Sequence, residues 1–397
     1  MLSNFYPYQV WLELDRSPDV IIDRIIKNIN TMPADAVTLV VSYEYWSLGD
    51  LHRAVDAVKL EFPRRQFLWL LPESIFFQDL VEIDTWDIEY VLIEIDLIQT
   101  YFQTEIFKTN KNNNKWNSSA DRFLFLTGKP NKTNRVKLLY QMYQQGLLEH
   151  AIWSFFTNPE LDQQNQKILS TVTPEQYRQF VADCEGSADG ETARSQHQSM
   201  LVDGTKFDPV IYQQTLFRVI SETQMNSQSI ISEKTWTTIA NHHPFIMAGS
   251  VGLLEFLKYK GFETYTEHLL YPDYDQVCDE NQRFSQIIDN TWHWLKTIRD
   301  SQQVINEQVL HNKQQLDSYI QHNVEQLNYI HSRIGKPNLE IFRLIPGQLG
   351  VNEWINFYYG IKDPSWPDCF DEQDFVKLPE SIQQECYQNF GYQPKIN

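Results

Sequence analysis

The first hundred residues alternate short apolar runs with amphipathic segments. Residues 37–42, 67–71 and 90–98 are largely apolar, and the first of these runs is rich in β-branched side chains, so each run predicts a strand. Residues 49–60 carry apolar side chains three or four positions apart, which predicts a helix between the first two strands. Continuous apolar strands separated by helices predict a parallel sheet that is covered on both faces.

A polar stretch separates this region from a second alternating region. Residues 109–120 are rich in Asn, Ser and Lys, with little to bury, and predict an interdomain linker or exposed loop. Beyond it, strands are predicted at 122–126, 151–156, 214–223 and 244–248, with helices at 134–145, 232–241 and 251–259. The fold class expected is α/β, with Rossmann-like domains over residues 1–115 and 120–290.

The chain beyond residue 289 has a different pattern. Residues 289–334 are polar and rich in Gln and Asn, with apolar side chains three or four positions apart from Ile298 to Ile330. This spacing predicts an amphipathic helix packed on the body of the protein. A coiled-coil contact, and with it an oligomer formed through this helix, is the alternative interpretation. Residues 291–397 are therefore expected to be a helical, aromatic-rich extension.

Charge and cysteine spacing narrow the classes of function. The chain has 33 basic and 52 acidic residues, a net charge of −19, whereas holding a nucleic-acid backbone requires the opposite sign. Nucleic acid is thus not an expected partner, although a local basic pocket for one nucleotide is compatible with this charge. The four cysteines lack the close spacing of a zinc site or disulfide framework. We expect no secretory signal, no membrane span and a cytoplasmic location.

Candidate chemistry is concentrated around a strand that ends at Glu222 and a predicted helix that begins at Ser232. A helix start attracts anions, because its N–H groups are unpaired and its dipole end is positive. Lys234 is unfavourable there without a negative ligand, and Glu233 beside it can accept hydrogen bonds from sugar hydroxyls. Gly249 follows the next strand and offers a second close approach, in the crevice where α/β sheets bind nucleotides. A helix cap with a solvated ion pair also explains this motif when it is taken alone.

This order of elements resembles the donor-nucleotide half of glycosyltransferase family ten, the fucosyltransferases. Ser221-Glu222 corresponds to that family's Glu-Asn strand end, residues 231–234 to its Val-Thr-Glu-Lys helix start, and residues 244–249 to its strand before a Gly turn. Residues 126–139 are similar to a family segment whose Arg, here Arg135, is expected to contact the donor pyrophosphate. The resemblance covers residues 122–265. Thr223 and Ile230-Ile231 differ from the family pattern and leave the donor sugar open.

The resemblance implies a GT-B architecture, in which two Rossmann-like lobes face each other across a cleft. It implies inverting, metal-independent transfer of a sugar from a nucleotide sugar to a hydroxyl acceptor such as a glycan, with no separate cofactor. A GDP-sugar is one candidate donor. The predicted donor-binding residues are Arg135, Arg218, Glu222, Ser232, Glu233, Lys234 and Gly249. For Arg218, which lies within a strand pattern, a buried and paired role is an equal alternative.

An inverting transferase needs a general base for the acceptor hydroxyl, and such a base is expected at a strand end in the first lobe. Glu73 follows the apolar run 67–71 and Pro72 and is the first candidate, and Glu44 is the second. Glu94 and Asp96 are weaker candidates, because they alternate within the third predicted strand. Two other functions stay open: a sugar transferase acting on modified DNA bases, which the negative charge disfavours, and an inactive GT-B-like module that binds a partner.

Overall fold

The structure is a computed structural model of the 397-residue chain. It describes residues 9–10, 18–30, 38–41, 47–94, 97, 116–127, 133–155, 173–185, 210–222 and 231–334. The chain divides into two units, Met1–Gln103 with Gln321–Asn397, and Thr104–Ile320. This division differs from the three predicted domains, because the helical segment after residue 290 is shared between the two units instead of forming an extension of its own.

The first unit contains a parallel sheet whose described strands follow the order of the chain. These strands are β1 (Gln9–Val10), β2 (Thr38–Val41), β3 (Phe67–Leu71) and β4 (Glu89–Leu92), in the order β1-β2-β3-β4. The described helices are α1 (Pro18–Ile29), α2 (Leu48–Glu61), α3 (Glu73–Phe76) and α4 (Leu80–Ile83). The parallel α/β arrangement predicted for this region is confirmed.

The apolar pattern of β3 accounts for its central place. Its last four residues are buried, and Trp69 and Leu71 pack in one hydrophobic cluster with side chains of α1 and α2, such as Ile25 and Val58. Each of these buried apolar side chains contributes on the order of 1.5–3 kcal/mol. The strand predicted over residues 90–98 corresponds to β4, which is shorter and ends at Leu92.

The second unit contains a parallel sheet in which the strand order reverses. Its described strands are β5 (Phe123–Thr127), β6 (Ala151–Phe155), β7 (Arg218–Ser221) and β8 (Phe245–Ala248), in the order β6-β5-β7-β8. The described helices are α5 (Thr133–Gln144), α6 (Pro174–Glu185), α7 (Val210–Gln213), α8 (Glu233–Ala240), α9 (Leu253–Tyr259) and α10 (Glu280–Thr297). The chain moves from β5 to β6 on one side and then returns to β7 on the other. A topological switch point therefore lies between β5 and β7, where open α/β sheets bind ligands.

The long C-terminal helical segment packs on the protein through its apolar face. It comprises α10, a short 3-10 turn and α11 (Gln302–Ile334), and α11 contributes to both units. Val309, Leu316 and Ile330 are buried, as the predicted amphipathic helix requires. None of the helices within the described ranges is long and apolar enough to cross a membrane.

The predicted interdomain linker or exposed loop is wrong at Trp116. Trp116 is buried, and its indole Nε1 donates a hydrogen bond of 2.6 Å to the carbonyl oxygen of Leu216. Asn117 donates to the carbonyl oxygen of Gln213 at 2.7 Å. These contacts attach residues 116–120 to the second unit, while residues 109–115 lie outside the described residues.

Candidate functional site

The switch point of the second unit brings together residues from three separate stretches of the chain. Glu222 directly follows β7, Ser232 caps the N-terminus of α8, and Arg135 lies in the first turn of α5. The Arg135 Nε donates a hydrogen bond of 3.3 Å to the carbonyl oxygen of Glu222, although the two residues are 87 positions apart. Three of the residues predicted to bind the donor therefore lie close together at the carboxyl ends of parallel strands.

Glu222 is completely buried and accepts hydrogen bonds from the start of α8. Its Oε1 accepts from the backbone N–H of Ser232 at 3.2 Å and from the hydroxyl of Thr235 at 2.6 Å, and its Oε2 accepts from the hydroxyl of Ser232. The carboxylate of Glu222 is thus the anion that occupies the positive end of this helix. The backbone N–H groups of Lys234 and Thr235 are also bonded within the cap, to Ser232. The sequence predicted these amides as phosphate ligands, and it did not identify Thr235.

Lys234 and Glu233 form an ion pair beside this cap. The Lys234 ammonium lies 2.8 Å from the Glu233 carboxylate and donates to the hydroxyl of Ser232 at 3.0 Å. Neighbouring protein atoms partly desolvate the Glu233 carboxylate and oppose its ionisation although the side chain is half-exposed, but the charge and hydrogen bond of Lys234 and the charge of Arg135 hold its pKa at about 2. The Lys234 side chain is 11% exposed, and that of Glu233 is 52% exposed. An incoming anion can therefore reach Lys234 if the half-exposed Glu233 side chain turns away.

Arg218 lies in the interior beneath α8. It is 1% exposed, and its guanidinium donates to the hydroxyls of Tyr212 and Thr238 and to the carbonyl oxygen of Lys234. The guanidinium also lies over the Tyr212 ring, 5.8 Å from its centroid. Arg218 was predicted either to contact the donor or to be buried and paired. The structure shows it buried, where it supports the first turn of α8.

Gly249 packs closely against Leu253, beside Glu222. A Cβ at this position would lie 2.5 Å from the Leu253 Cδ2 and 3.7 Å from the Glu222 Cβ. The sequence predicted that Gly249 admits a ligand, but in the structure the nearest group is the side chain of Leu253. Any larger residue at position 249 would therefore displace Leu253 first.

In the first unit, two buried carboxyl groups follow adjacent strands. Glu73 begins α3 directly after β3 and is 5% exposed, while Glu94 lies just beyond β4 and is 2% exposed. The Glu94 Oε1 accepts the backbone N–H of Ser74, and the Glu94 N–H donates to the Asn323 Oδ1 at 2.7 Å. Glu94 was predicted inside a strand, whereas the structure places it beside the first turn of α3. Glu44 and Asp96 lie outside the described residues.

Asp275 is a buried carboxyl group within a polar, acidic stretch of the sequence, residues 273–279. Its Oδ2 accepts the backbone N–H of Leu254 at 3.0 Å, at the start of α9. Burial raises the pKa of Asp275 to about 7, although the Leu254 hydrogen bond and the charges of Arg283 and Lys258 favour ionisation. The charge of Glu255 adds to the upward shift. The polar composition around Asp275 concealed this burial.

The free energy of unfolding is expected to fall as pH rises from about 4 to 7. In this range the Asp275 carboxyl group is protonated in the folded protein but ionised in the unfolded chain. The unfolded carboxyl has a pKa of 3.8 and the folded one about 7, so between these values the folded state binds more protons. The contribution of this group should decline by about 3–4 kcal/mol between pH 4 and 7 and become constant above about pH 8. Urea unfolding of Asp275→Asn should lack this decline, since Asn cannot ionise. Asp273→Asn, at an exposed position, is the control, and an unchanged pH profile in Asp275→Asn would contradict the prediction.

The fold and the site define the chain as an α/β protein with parallel sheets and a buried polar cluster at a strand-order switch point. No family model matches the chain, and searches of curated proteins and of solved structures found no significant match. Within the described ranges, no group of three or more His, Cys, Asp or Glu side chains is arranged to hold a metal ion.

Proposed function

We propose that the protein is a glycosyltransferase that moves a sugar from a nucleotide-sugar donor to a hydroxyl acceptor with inversion. The supporting observation is the convergence of Arg135, Glu222, Ser232, Glu233 and Lys234 at the carboxyl ends of β5 and β7. Crevices at such switch points bind nucleotides in open α/β sheets. The residues that converge are those that carry the resemblance to the fucosyltransferases.

In this proposal, the donor phosphates are held by side chains and need no metal ion. Arg135 and Lys234 supply two fixed positive charges within one crevice, while Glu222 keeps the start of α8 in place. The phosphate displaces Glu233 from Lys234, and the released carboxylate is then available to accept hydrogen bonds from donor hydroxyls. This arrangement replaces the helix-start amides that the sequence suggested, because Glu222 and Ser232 already occupy them.

The proposed chemical step is a direct displacement at the anomeric carbon. The acceptor oxygen forms a bond to that carbon, and the bond to the phosphate oxygen breaks, so that the nucleotide leaves with the electron pair. A carboxylate of the first unit, Glu73 in the first instance, takes the acceptor proton. The proposal includes the GT-B arrangement implied by the resemblance, with a glycan or another hydroxyl compound as the acceptor.

A panel of GDP-, UDP-, dTDP- and CMP-sugars tests this function. A ligand that binds only the folded state at 100 times its Kd stabilises the protein by about 2.7 kcal/mol, which a thermal shift detects. We expect one nucleotide class to raise the melting temperature and to be hydrolysed or transferred slowly. If millimolar concentrations of all four produce neither a shift nor turnover, the chain is a non-catalytic module.

Lys234→Ala is expected to weaken binding of the active nucleotide about 10–100-fold, because a charge-assisted contact to phosphate contributes roughly 1.5–3 kcal/mol. The measurement is calorimetric titration at fixed ionic strength. Lys296→Ala removes an exposed lysine of α10 and is the matched control. Equal affinities for Lys234→Ala and this control would exclude the phosphate contact.

A further inference from the structure

A cavity of about 320 Å³ opens in the first unit at the amino ends of β3 and β4. Phe67 and Glu89, the first residues of these two strands, both line it. Glu73 and Glu94 follow the carboxyl ends of the same strands. The cavity therefore lies at the opposite edge of the sheet from the proposed base and is separate from the proposed transfer reaction.

The apolar part of the cavity is aromatic. Phe62 and Phe67 line it with their ring centroids 6.4 Å apart and their planes inclined by 55°, Ile88 adds further apolar surface, and Trp69 also borders it. Trp69 is 1% exposed and belongs to the core, so this wall is held by the packing of α1 and α2. The volume is in the range of small-molecule sites, which combine apolar walls with a few polar groups. The lining thus presents aromatic surface to a small molecule.

Lys59 supplies the polar end of the cavity. Its ammonium donates hydrogen bonds to the carbonyl oxygens of Trp86 at 2.8 Å and Asp87 at 3.0 Å, both of them uncharged acceptors. An ammonium has three N–H donors, and no ion pair joins Lys59 to a carboxylate of the described residues. One donor and a full positive charge are thus available for a ligand.

Two acidic residues, Asp87 and Glu89, line the cavity, and the side chain of Glu89 is held in an ion pair. Both carboxylate oxygens of Glu89 accept from the guanidinium of Arg333 at 2.6 Å, and the hydroxyl of Tyr329 adds a bond of 2.7 Å. The hydrogen bond from Arg333 holds the pKa of Glu89 below its usual value, so the ion pair persists at neutral pH. Glu89 therefore does not compete for Lys59. Arg65, whose guanidinium lies 5.5 Å from the Phe62 ring centroid, adds a second cation to the lining.

We infer that this cavity binds a small aromatic carboxylate, with the ring against Phe62 and Phe67 and the carboxylate on Lys59. Aromatic walls select the flat body, and the lysine selects the negative charge. The net charge of −19 repels anions from the protein as a whole. Specific binding of an organic anion would therefore be distinguishable from adsorption at the surface.

Calorimetric titration with 2-naphthoate tests this inference, with 2-naphthamide as the uncharged analogue. We expect 2-naphthoate to bind and 2-naphthamide to bind at least about 10-fold more weakly, since the amide loses the charge-assisted contact. Lys59→Met should weaken 2-naphthoate binding by about 10–100-fold, whereas Lys59→Arg should retain most of the affinity. Lys27→Met removes an exposed lysine of α1 and should leave the affinity unchanged.

A second variant fills the cavity without removing the charge. Ile88 is half-buried in the lining and packs against the core, so Ile88→Trp should abolish binding, and its urea midpoint shows whether the variant is folded under the conditions of the titration. Lys234→Ala should leave 2-naphthoate binding unaffected, which separates this site from the proposed nucleotide site. The inference is overturned if millimolar 2-naphthoate does not bind, if 2-naphthamide binds equally well, or if Lys27→Met and Lys59→Met lose affinity to the same extent.

Discussion

Glu73→Gln is expected to reduce the rate of sugar transfer by about 10²–10⁴-fold while nucleotide binding stays at the level of the native protein. Glutamine retains the size of the side chain but cannot take the acceptor proton. Donor binding should persist because Arg135 and Lys234 belong to the other unit. The measurement is transfer at saturating donor, with nucleotide affinity determined on the same preparation.

Two further variants make this test specific. Glu61→Gln replaces an exposed carboxylate at the end of α2 and should transfer at the native rate. Glu94→Gln reports on the neighbouring buried carboxyl group, whose side chain accepts the Ser74 N–H. Native turnover in Glu73→Gln would remove Glu73 as the base. Glu44→Gln would then be the next variant to measure.

Glu222→Ala is expected to destabilise the second unit by about 3 kcal/mol, because it leaves buried donors of Ser232 and Thr235 without their acceptor. The lost anchor at the α8 N-terminus should also displace Lys234 and weaken nucleotide binding. Urea unfolding gives the free energy, and an unchanged slope shows that the unfolded states are comparable.

A graded series distinguishes the carboxylate network from a general packing effect. Thr235→Val removes a single donor to Glu222 and should cost only about 1 kcal/mol. Glu222→Gln retains an acceptor oxygen and should lie between Thr235→Val and Glu222→Ala. An unfolding free energy of Glu222→Ala equal to that of the native protein would show that Glu222 does not hold the start of α8.

Local patterns were sufficient for most of the described elements. The run FLWLL predicted β3 with its observed bounds, because a buried strand needs only consecutive apolar residues before a terminating Pro72. Ser232 predicted the start of α8, since a side-chain cap acts within one helical turn. The strand predicted over residues 90–98 was too long, since β4 ends at Leu92. Ile93 and Leu97 are buried although they lie outside a strand, and an apolar sequence alone does not distinguish a buried strand from another buried segment.

The prediction of the donor site depended on the order of strands, helices and motif residues along the chain. The structure adds the hydrogen bonds and ion pairs that these residues form with one another. The sequence named Arg135, Glu222 and Lys234 as ligands of one nucleotide. It left open whether Lys234 pairs with Glu233 and whether Arg218 is internal, and it did not indicate that the Glu222 side chain accepts hydrogen bonds from the start of α8. Hydrogen-bond partners across distant segments follow from strand order, which residue spacing does not specify.

Residue order along the chain was enough to establish strands, helices, the parallel α/β class and the cap of α8, because periodicity and capping act over a few neighbouring residues. Tertiary structure decided the rest. It placed the strand-order reversal between β5 and β7, buried Trp116 and Asp275, and brought Glu94 beside the first turn of α3. Each of these outcomes depends on which distant segment excludes water from a side chain or supplies its hydrogen-bond partner, and such pairings are set only when the chain packs.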